Sequence, residues 1–396
     1  MAKMKTQVGI VGAGPAGLLL SHLLHQHGIA SIVLEARDRD YCESRVRAGV
    51  LEQTSVELLR ASGVADRLDR ESLRHEGIEL GLEGRRHRIP FVELTGKAVT
   101  VYGQQEVVKD LIARRLHDGA DIRFECGNVA LLGFLDDAPC IQVEKEDAVD
   151  AIECDFIAGC DGSHGICRSF IPPRLSMLYE QTYPFAWLGI LAEAPPSREE
   201  LLYMHHDRGF ALYSMRSPQI TRLYLQCEPD EDLAQWSDDR IWNELQIRLG
   251  CDDGWHPTEG LILQKGITGM RSSVVEPMQY GRLYLAGDAA HIVPPTGAKG
   301  MNLALADVYY LAEGLSAHYA GEGDAKLEKY SATCLRRIWR AQRFSWWMTS
   351  MLHRLEHASS FEHKRQLADL EYVMNSRAAA SSLAENYVGM PLEPIE

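Results

Sequence analysis

A chain of 396 residues with 45% apolar and 24% charged residues suits a soluble globular protein of about two domains with ample core. Its formal net charge of −15 argues against nucleic acid or an anionic membrane as a partner. Nine scattered cysteines without a Cys-x-x-Cys pair read as free thiols in a reducing cytoplasm, with no metal site expected and no apolar run long enough to span a bilayer.

The opening Met1-Ala2-Lys3-Met4 leads straight into a strand, so no signal peptide is expected and the location reads as cytoplasmic. Residues 7–11 read as a strand buried on both faces. Gly12-Ala13-Gly14-Pro15-Ala16-Gly17 follows. In this spacing Gly12 permits a tight turn, Gly14 lets backbone approach a pyrophosphate, and Gly17 allows close helix–strand packing. The helix predicted from Leu18 to about His27 turns its positive end to the phosphates. Ser31-Ile32-Val33-Leu34 then ends in Glu35, placed to accept from a ribose. Gly49 to Ala61 reads as an amphipathic helix, residues 74–103 as strands, Gln104 to Leu116 as a helix and 122–157 as strands again. The turn Gly159-Cys160-Asp161-Gly162 is a second candidate phosphate neighbour, or a plain turn.

A separate, strand-rich unit is expected from Tyr183 to Thr268, with one helix near Asp238–Leu249. Ser214 and Arg216 fall two apart on its strand Phe210-Ala211-Leu212-Tyr213-Ser214-Met215-Arg216, so they share a face. A hydroxyl and a guanidinium there can form a fork for a carboxylate, though spacing alone favours a solvated strand arginine. A second nucleotide signal lies at Leu283-Tyr284-Leu285-Ala286-Gly287-Asp288-Ala289-Ala290-His291, followed by Gly297, Gly300 and a helix starting near Asn302. Asp288 can accept from a ribityl or ribose hydroxyl, and the helix start can face the electron-rich end of a flavin. Two such signals so far apart point to FAD rather than a free nicotinamide nucleotide. Leu327 to Leu355 reads as one long amphipathic helix with a buried aromatic face.

These readings assemble into a mixed α/β chain. A Rossmann-like FAD-binding domain is expected over 1–177, with strands 74–103 contributing to the substrate side. An inserted β-sheet substrate domain follows over 178–268. Residues 269–396 return to the FAD site and end in helices.

Along essentially its whole length the chain is similar to the group A flavoprotein aromatic hydroxylases, and most specifically to those acting on 4-hydroxybenzoate. The resemblance rests on Arg45-Val46-Arg47-Ala48-Gly49-Val50-Leu51-Glu52-Gln53, Val101-Tyr102-Gly103-Gln104, Val293-Pro294-Pro295-Thr296-Gly297-Ala298-Lys299-Gly300, Arg343-Phe344-Ser345-Trp346-Trp347-Met348 and Ala384-Glu385-Asn386-Tyr387-Val388-Gly389. It implies that Ser214, Arg216 and Tyr224 hold a substrate carboxylate, and that Tyr203 and the Pro295 carbonyl meet the phenol. Tyr387 and His75 would continue a proton relay from Tyr203 to solvent. FAD would be held by Gly12, Gly14, Ala16, Gly17, Glu35, Arg45, Val46, Arg47, Ala48, Gly49, Val50, Gln104, Asp288, Met301 and Asn302. Arg45, His164 and Arg271 would contact the nicotinamide nucleotide, with Tyr41 near its adenosine end.

The implied reaction is C3 hydroxylation of 4-hydroxybenzoate with NAD(P)H and O2, through a flavin C4a-hydroperoxide, by a homodimer. With one dinucleotide fingerprint taken by FAD, the nicotinamide donor must bind transiently. Arg37, Arg39 and Arg45 could grip a 2′-phosphate while Asp38 and Asp40 oppose it, so NADPH is expected and NADH is the alternative. Ala36 departs from the arginine that NADPH-using members carry directly after the Glu. Tyr213 stands where the family commonly has a smaller residue, which is expected to reshape the pocket. Two other readings stay open: a hydroxylase of another hydroxy- or dihydroxybenzoate, and a non-catalytic FAD-bound sensor.

Overall fold

The apolar run Val8–Val11 forms the centre of a sheet because all four residues are buried, leaving no face for polar side chains. This computed structural model describes residues 3–394 except 48, 137, 146, 147, 356 and 357. Six strands lie in the order Gln279–Tyr280, Leu283–Leu285, Phe156–Gly159, Val8–Val11, Ser31–Leu34 and Asp121–Arg123. All neighbours are parallel except the first pair. Pro15–Gln26 packs against Gly300–Tyr319 and Gln104–His117. Gly12 has φ +108°, and a Cβ there would strike the Cys160 carbonyl. A Cβ on Gly17 would strike the Gly12 carbonyl, so helix and strand close up only through that glycine.

The larger sheet has eight strands, in the order His291–Ile292, Leu261–Glu276, Met177–Glu193, Ile220–Cys227, Ala211–Ser217, Leu202–His205, Gly77–Leu82 and Arg85–Pro90. Strands from the 74–103 stretch thus join it through the parallel pairing Tyr203 with Leu80. Alternation sorts its two faces. Leu202, Met204, Tyr213, Met215, Leu223 and Leu225 pack with Ile241, Leu245 and Leu249 of the helix Asp238–Leu249. Trp187, Tyr203, Phe210 and Leu212 pack instead with Phe344, Met348 and Leu352 of Tyr330–Leu352 and with Tyr387 of Arg377–Val388.

Three expected elements differ. Within the 74–103 stretch expected as strands, Phe91–Thr95 is a short helix that ends at Gly96, whose φ is +71°. The helix expected over Gly49–Ala61 begins only at Gln53, and Val50–Leu51 is a strand paired with Val101 and Thr100. Tertiary partners decide it: Asn302 donates to the Val50 carbonyl and accepts from the Glu52 N–H, both at 2.9 Å. The long C-terminal helix breaks into Ala325–Glu328 and Tyr330–Leu352. Its buried stripe carries Cys334, Ile338, Phe344 and Met348, whereas Trp339 and Trp346, seven apart, are 41% and 55% exposed on the outer face.

Candidate active site

The sheet register lays the predicted substrate residues on one face. Tyr203 pairs with Leu212, Leu212 with Tyr224, and Ser214 with Arg222. A bulge follows Met215 and lets Arg216 turn its Nη1 back toward the Ser214 hydroxyl at 3.5 Å and the Met215 carbonyl at 3.0 Å. Arg216 Nε is buried and takes no protein acceptor. A guanidinium stays charged and offers five N–H donors, so this arrangement has an unfilled demand for an anionic oxygen.

Arg222, which the sequence reading passed over, stands beside it. Its guanidinium carbon lies 5.2 Å from the Tyr224 ring centre, and its Nη1 is likewise buried without a partner. The available signal was its place two residues before Tyr224 on the same alternating strand. Burial pushes the Tyr224 phenol up, but Arg216 and Arg222 outweigh it and hold it below its ordinary range.

Tyr203 and Tyr387 meet hydroxyl to hydroxyl at 2.5 Å, both buried. Burial raises both phenols well above their usual range, so both are neutral at neutral pH and each can donate and accept at once. His75 is not joined to Tyr387 by a direct hydrogen bond: it is 1% exposed and neither ring nitrogen has a partner. Burial lowers it to about 4, against the near-neutral titration expected of a relay end at solvent. His353 is also fully buried, and its ring is lowered to about 3 for the same reason.

Both rings are neutral when folded at pH 5 but charged when unfolded, so each should remove about 2 kcal/mol of stability between pH 7 and pH 5. The stability they contribute is fully present above about pH 6.5 and is lost as pH falls toward the folded values. Urea melts at the two pH values are expected to show a smaller drop in His75→Gln than in the wild type. An unchanged drop would remove His75 from this account.

Tyr213 does not enter this face. Its ring lies on the opposite side of the sheet, its hydroxyl accepts from the Ser197 N–H at 2.7 Å, and Trp255 packs edge-on at 5.5 Å. The expected reshaping of the pocket is therefore corrected, because neighbours on a strand alternate faces. Tyr213→Phe is expected to lower the melting temperature through the lost bond and to leave substrate preference unchanged. A changed rank order in a panel of hydroxybenzoates would contradict this.

The nucleotide residues gather where the first parallel strands end. Glu35 accepts from the Ala13 N–H at 2.7 Å and the Arg37 N–H at 2.9 Å, which orients its carboxylate. A Cβ built on Gly14, at the N-cap of Pro15–Gln26, meets nothing within 4 Å, leaving room beside the free helix N–H groups. Asp288 is exposed in the single turn Gly287–Ala289 that follows the strand Leu283–Leu285, with Arg47 in electrostatic reach. The Asn302 side chain is committed to protein partners, also donating to the Ala298 carbonyl at 2.8 Å, so only its backbone is left for a cofactor. Met301 beside it is half-buried, and Gln104 begins its helix. Gly49 packs against the Tyr102 carbonyl, and Arg45 and Val46 flank Arg47 on the same loop. Ala48 lies outside the described residues. The open cradle at Gly14, the oriented Glu35 and the exposed Asp288 fit the dinucleotide and ribityl parts of FAD.

Tyr41 is 40% exposed between Arg37 and Arg45, whose guanidinium carbons lie 5.4 and 5.6 Å from its ring. Asp38 is occupied as the cap of Arg39–Ser44, accepting from the Tyr41 N–H at 2.6 Å. His164 is exposed, and Arg271 is half-buried on Leu261–Glu276. The Pro295 carbonyl accepts from the Ala298 N–H at 2.9 Å, and Pro295 itself is exposed.

Residues 5–345 match the model of the FAD binding domain family. The chain is 48% identical over 394 residues to p-hydroxybenzoate hydroxylase of Acinetobacter baylyi, covering 99% of this chain and 97% of that one. It belongs to this family of FAD-binding hydroxylases. The fold is shared with p-nitrophenol 4-monooxygenase from Pseudomonas putida (TM-score 0.82, 17% identity, 98% and 99% of the two chains). It is shared as well with anhydrotetracycline hydroxylase from Streptomyces rimosus (TM-score 0.75, 22% identity, 97% and 76%). The chain is a flavin-dependent aromatic monooxygenase: its cofactor is FAD, and it uses NAD(P)H, O2 and an aromatic substrate. The mixed α/β reading agrees with this, and a non-catalytic sensor does not. No helix among the described residues is long and apolar enough to cross a membrane.

Proposed function

We propose that this enzyme hydroxylates 4-hydroxybenzoate at C3 to give 3,4-dihydroxybenzoate. The observation that carries the reading is the half-buried Arg216, whose Nε is buried and unpartnered, on the same sheet face as a Tyr203–Tyr387 hydroxyl pair. Such a face suits a ring with an anion at one end and a phenol at the other. The similarity to p-hydroxybenzoate hydroxylase supports it.

Arg216, Ser214 and Tyr224 bind the carboxylate, and Arg222 adds positive charge behind Tyr224. Tyr203 and the Pro295 carbonyl take the phenol end. The substrate phenol passes its proton to Tyr203 Oη as Tyr203 passes its own to Tyr387 Oη, so the ring gains the electron density that hydroxylation needs. His75 is the proposed onward acceptor, reached through an intervening hydroxyl or water. Bound FAD supplies hydride acceptance and oxygen activation. Gly12, Gly14, Ala16, Gly17, Glu35, Arg45, Val46, Arg47, Ala48, Gly49, Val50, Gln104, Asp288, Met301 and the Asn302 backbone hold it. Arg45, His164 and Arg271, with Tyr41, receive the nicotinamide nucleotide, for which NADPH is the proposed donor.

We further propose the three-part division at 177/178 and 268/269, a cytoplasmic location and a catabolic role. A homodimer is proposed too, supported by the outward Trp339 and Trp346. Oxygen uptake and product chromatography test the activity with NADPH or NADH and 4-hydroxybenzoate, benzoate or phenol. Product only from the substrate with both groups is expected. Equal turnover of phenol would overturn the carboxylate assignment, and preference for a dihydroxybenzoate would favour the related hydroxylase.

A further inference from the structure

The helix Tyr330–Leu352 ends against the face that carries Tyr203 and Arg216, and side chains from three strands hold its last turn there. Trp187 Nε1–H donates to His353 Nε2 at 2.6 Å. His205 Nδ1 meets the Leu352 carbonyl at 2.9 Å. Gln226 bonds Arg354 through both ends of its amide, at 2.6 and 3.0 Å. One turn earlier, Thr349 Oγ1 donates to Thr296 Oγ1 at 2.9 Å, with both residues buried.

The His353 ring has no freedom left. Its Nδ1 lies 2.9 Å from the Thr349 carbonyl, which can only accept, so Nδ1 carries the proton and Nε2 is the acceptor for the indole. Phe185 stacks on it at 4.5 Å and 10°, and Phe210 lies at 4.4 Å. What this ring holds is also defined. The Trp187 ring lies 4.8 Å from Tyr224, the residue beside both guanidinium groups, while Thr296 directly follows Pro295.

We propose that Thr349 and His353 are positioning residues that tie the two ends of the substrate pocket to one helix turn. Thr349 fixes the Pro295–Thr296 turn at the phenol end, and His353 fixes Trp187, and through it Tyr224, at the carboxylate end. The inference rests on the substrate reading above. It separates two residues that plain core packing would treat alike: each governs the end of the substrate on its own side.

The test uses FAD-loaded enzyme and four readouts. They are the dissociation constant of 4-hydroxybenzoate from the flavin absorbance change, the pKa of the bound phenol from its ultraviolet absorbance, product formed per NAD(P)H, and the melting temperature. His353→Phe keeps the stack but strips the indole of its acceptor, and is expected to weaken substrate binding roughly tenfold with the bound phenol pKa unmoved. Trp187→Phe, which leaves His353 in place, should reproduce this, and His353→Gln, which retains an acceptor, should recover most of the affinity. Thr349→Val is expected to raise the bound phenol pKa by about one unit and lower product per NAD(P)H, with affinity changed less than about threefold. Thr349→Ser should restore both. Variants that only lower the melting temperature, or that shift affinity and phenol pKa together, overturn the proposal. A wild-type enzyme that neither binds nor hydroxylates 4-hydroxybenzoate overturns the substrate reading and this inference with it.

Discussion

Arg216→Ala is expected to lose about 3–4 kcal/mol of affinity for 4-hydroxybenzoate, several hundredfold in Kd, while binding FAD as the wild type does. The loss is large because the site is buried: a carboxylate entering it gives up its hydration and finds the guanidinium as its compensating charge. Ser214 cannot substitute, since its hydroxyl is neutral and has to turn from the Arg222 carbonyl, 3.0 Å away, to donate to the carboxylate at all. FAD retention follows from distance in the fold, the nucleotide residues lying on the parallel sheet and the loops beside it. Arg216→Lys should recover only part, a point charge replacing a planar fork. Titration of the holoenzyme, read by flavin absorbance, checks both variants. A Kd within threefold of wild type in Arg216→Ala would move the carboxylate to Arg222 or out of the pocket.

Tyr203→Phe is expected to keep substrate affinity within a few fold and to keep consuming NAD(P)H, yet to form product at about one-hundredth of the wild-type rate per bound substrate. The ring survives the change, so its packing with Phe210 at 6.2 Å and Tyr387 at 6.3 Å persists. What disappears is the oxygen that accepts the phenol proton, together with the 2.5 Å link to Tyr387. The reducing equivalents then leave as hydrogen peroxide. The Tyr387 hydroxyl, buried without its partner, lowers stability by about 1–3 kcal/mol. Tyr387→Phe should act in the same direction, and the double variant should lose little more than either single one, as members of one chain do. Product and peroxide measured together decide it. Stoichiometric hydroxylation by Tyr203→Phe is the result that would end the proton-transfer proposal.

Signals confined to a few neighbouring residues were legible in the sequence. The turn at Gly12 and the acid at Glu35 sit within one βαβ unit, where spacing alone dictates geometry. The shared face of Ser214 and Arg216 was legible for the same reason, from the alternation of a strand. Contacts closed over long separations were not. Tyr203 and Tyr387 lie 184 residues apart, and only the family resemblance joined them, since nothing local to either marks the other. Arg222 escaped because a charged residue on a strand usually points to solvent, and only the sheet order reveals that this face is covered. Tyr213 was misjudged because its neighbour Ser214 was read as its environment, although adjacent strand residues occupy different worlds. Residues 50–52 follow their partner rather than their own helical pattern, because Asn302 takes their backbone groups.

That Asn302 stitch bears on the order in which the protein can be made. Its amide closes a loop of 250 residues between the start of the chain and the helix near residue 300. At about 5–20 residues per second, the Val50–Leu51 strand waits roughly 12–50 s for the ribosome to deliver its partner. The nascent chain therefore emerges with half of a nucleotide cradle and no means to finish it. Flavin loading belongs to the time after the helix has docked, and a chain stopped short of residue 302 should remain colourless however well its first strands form.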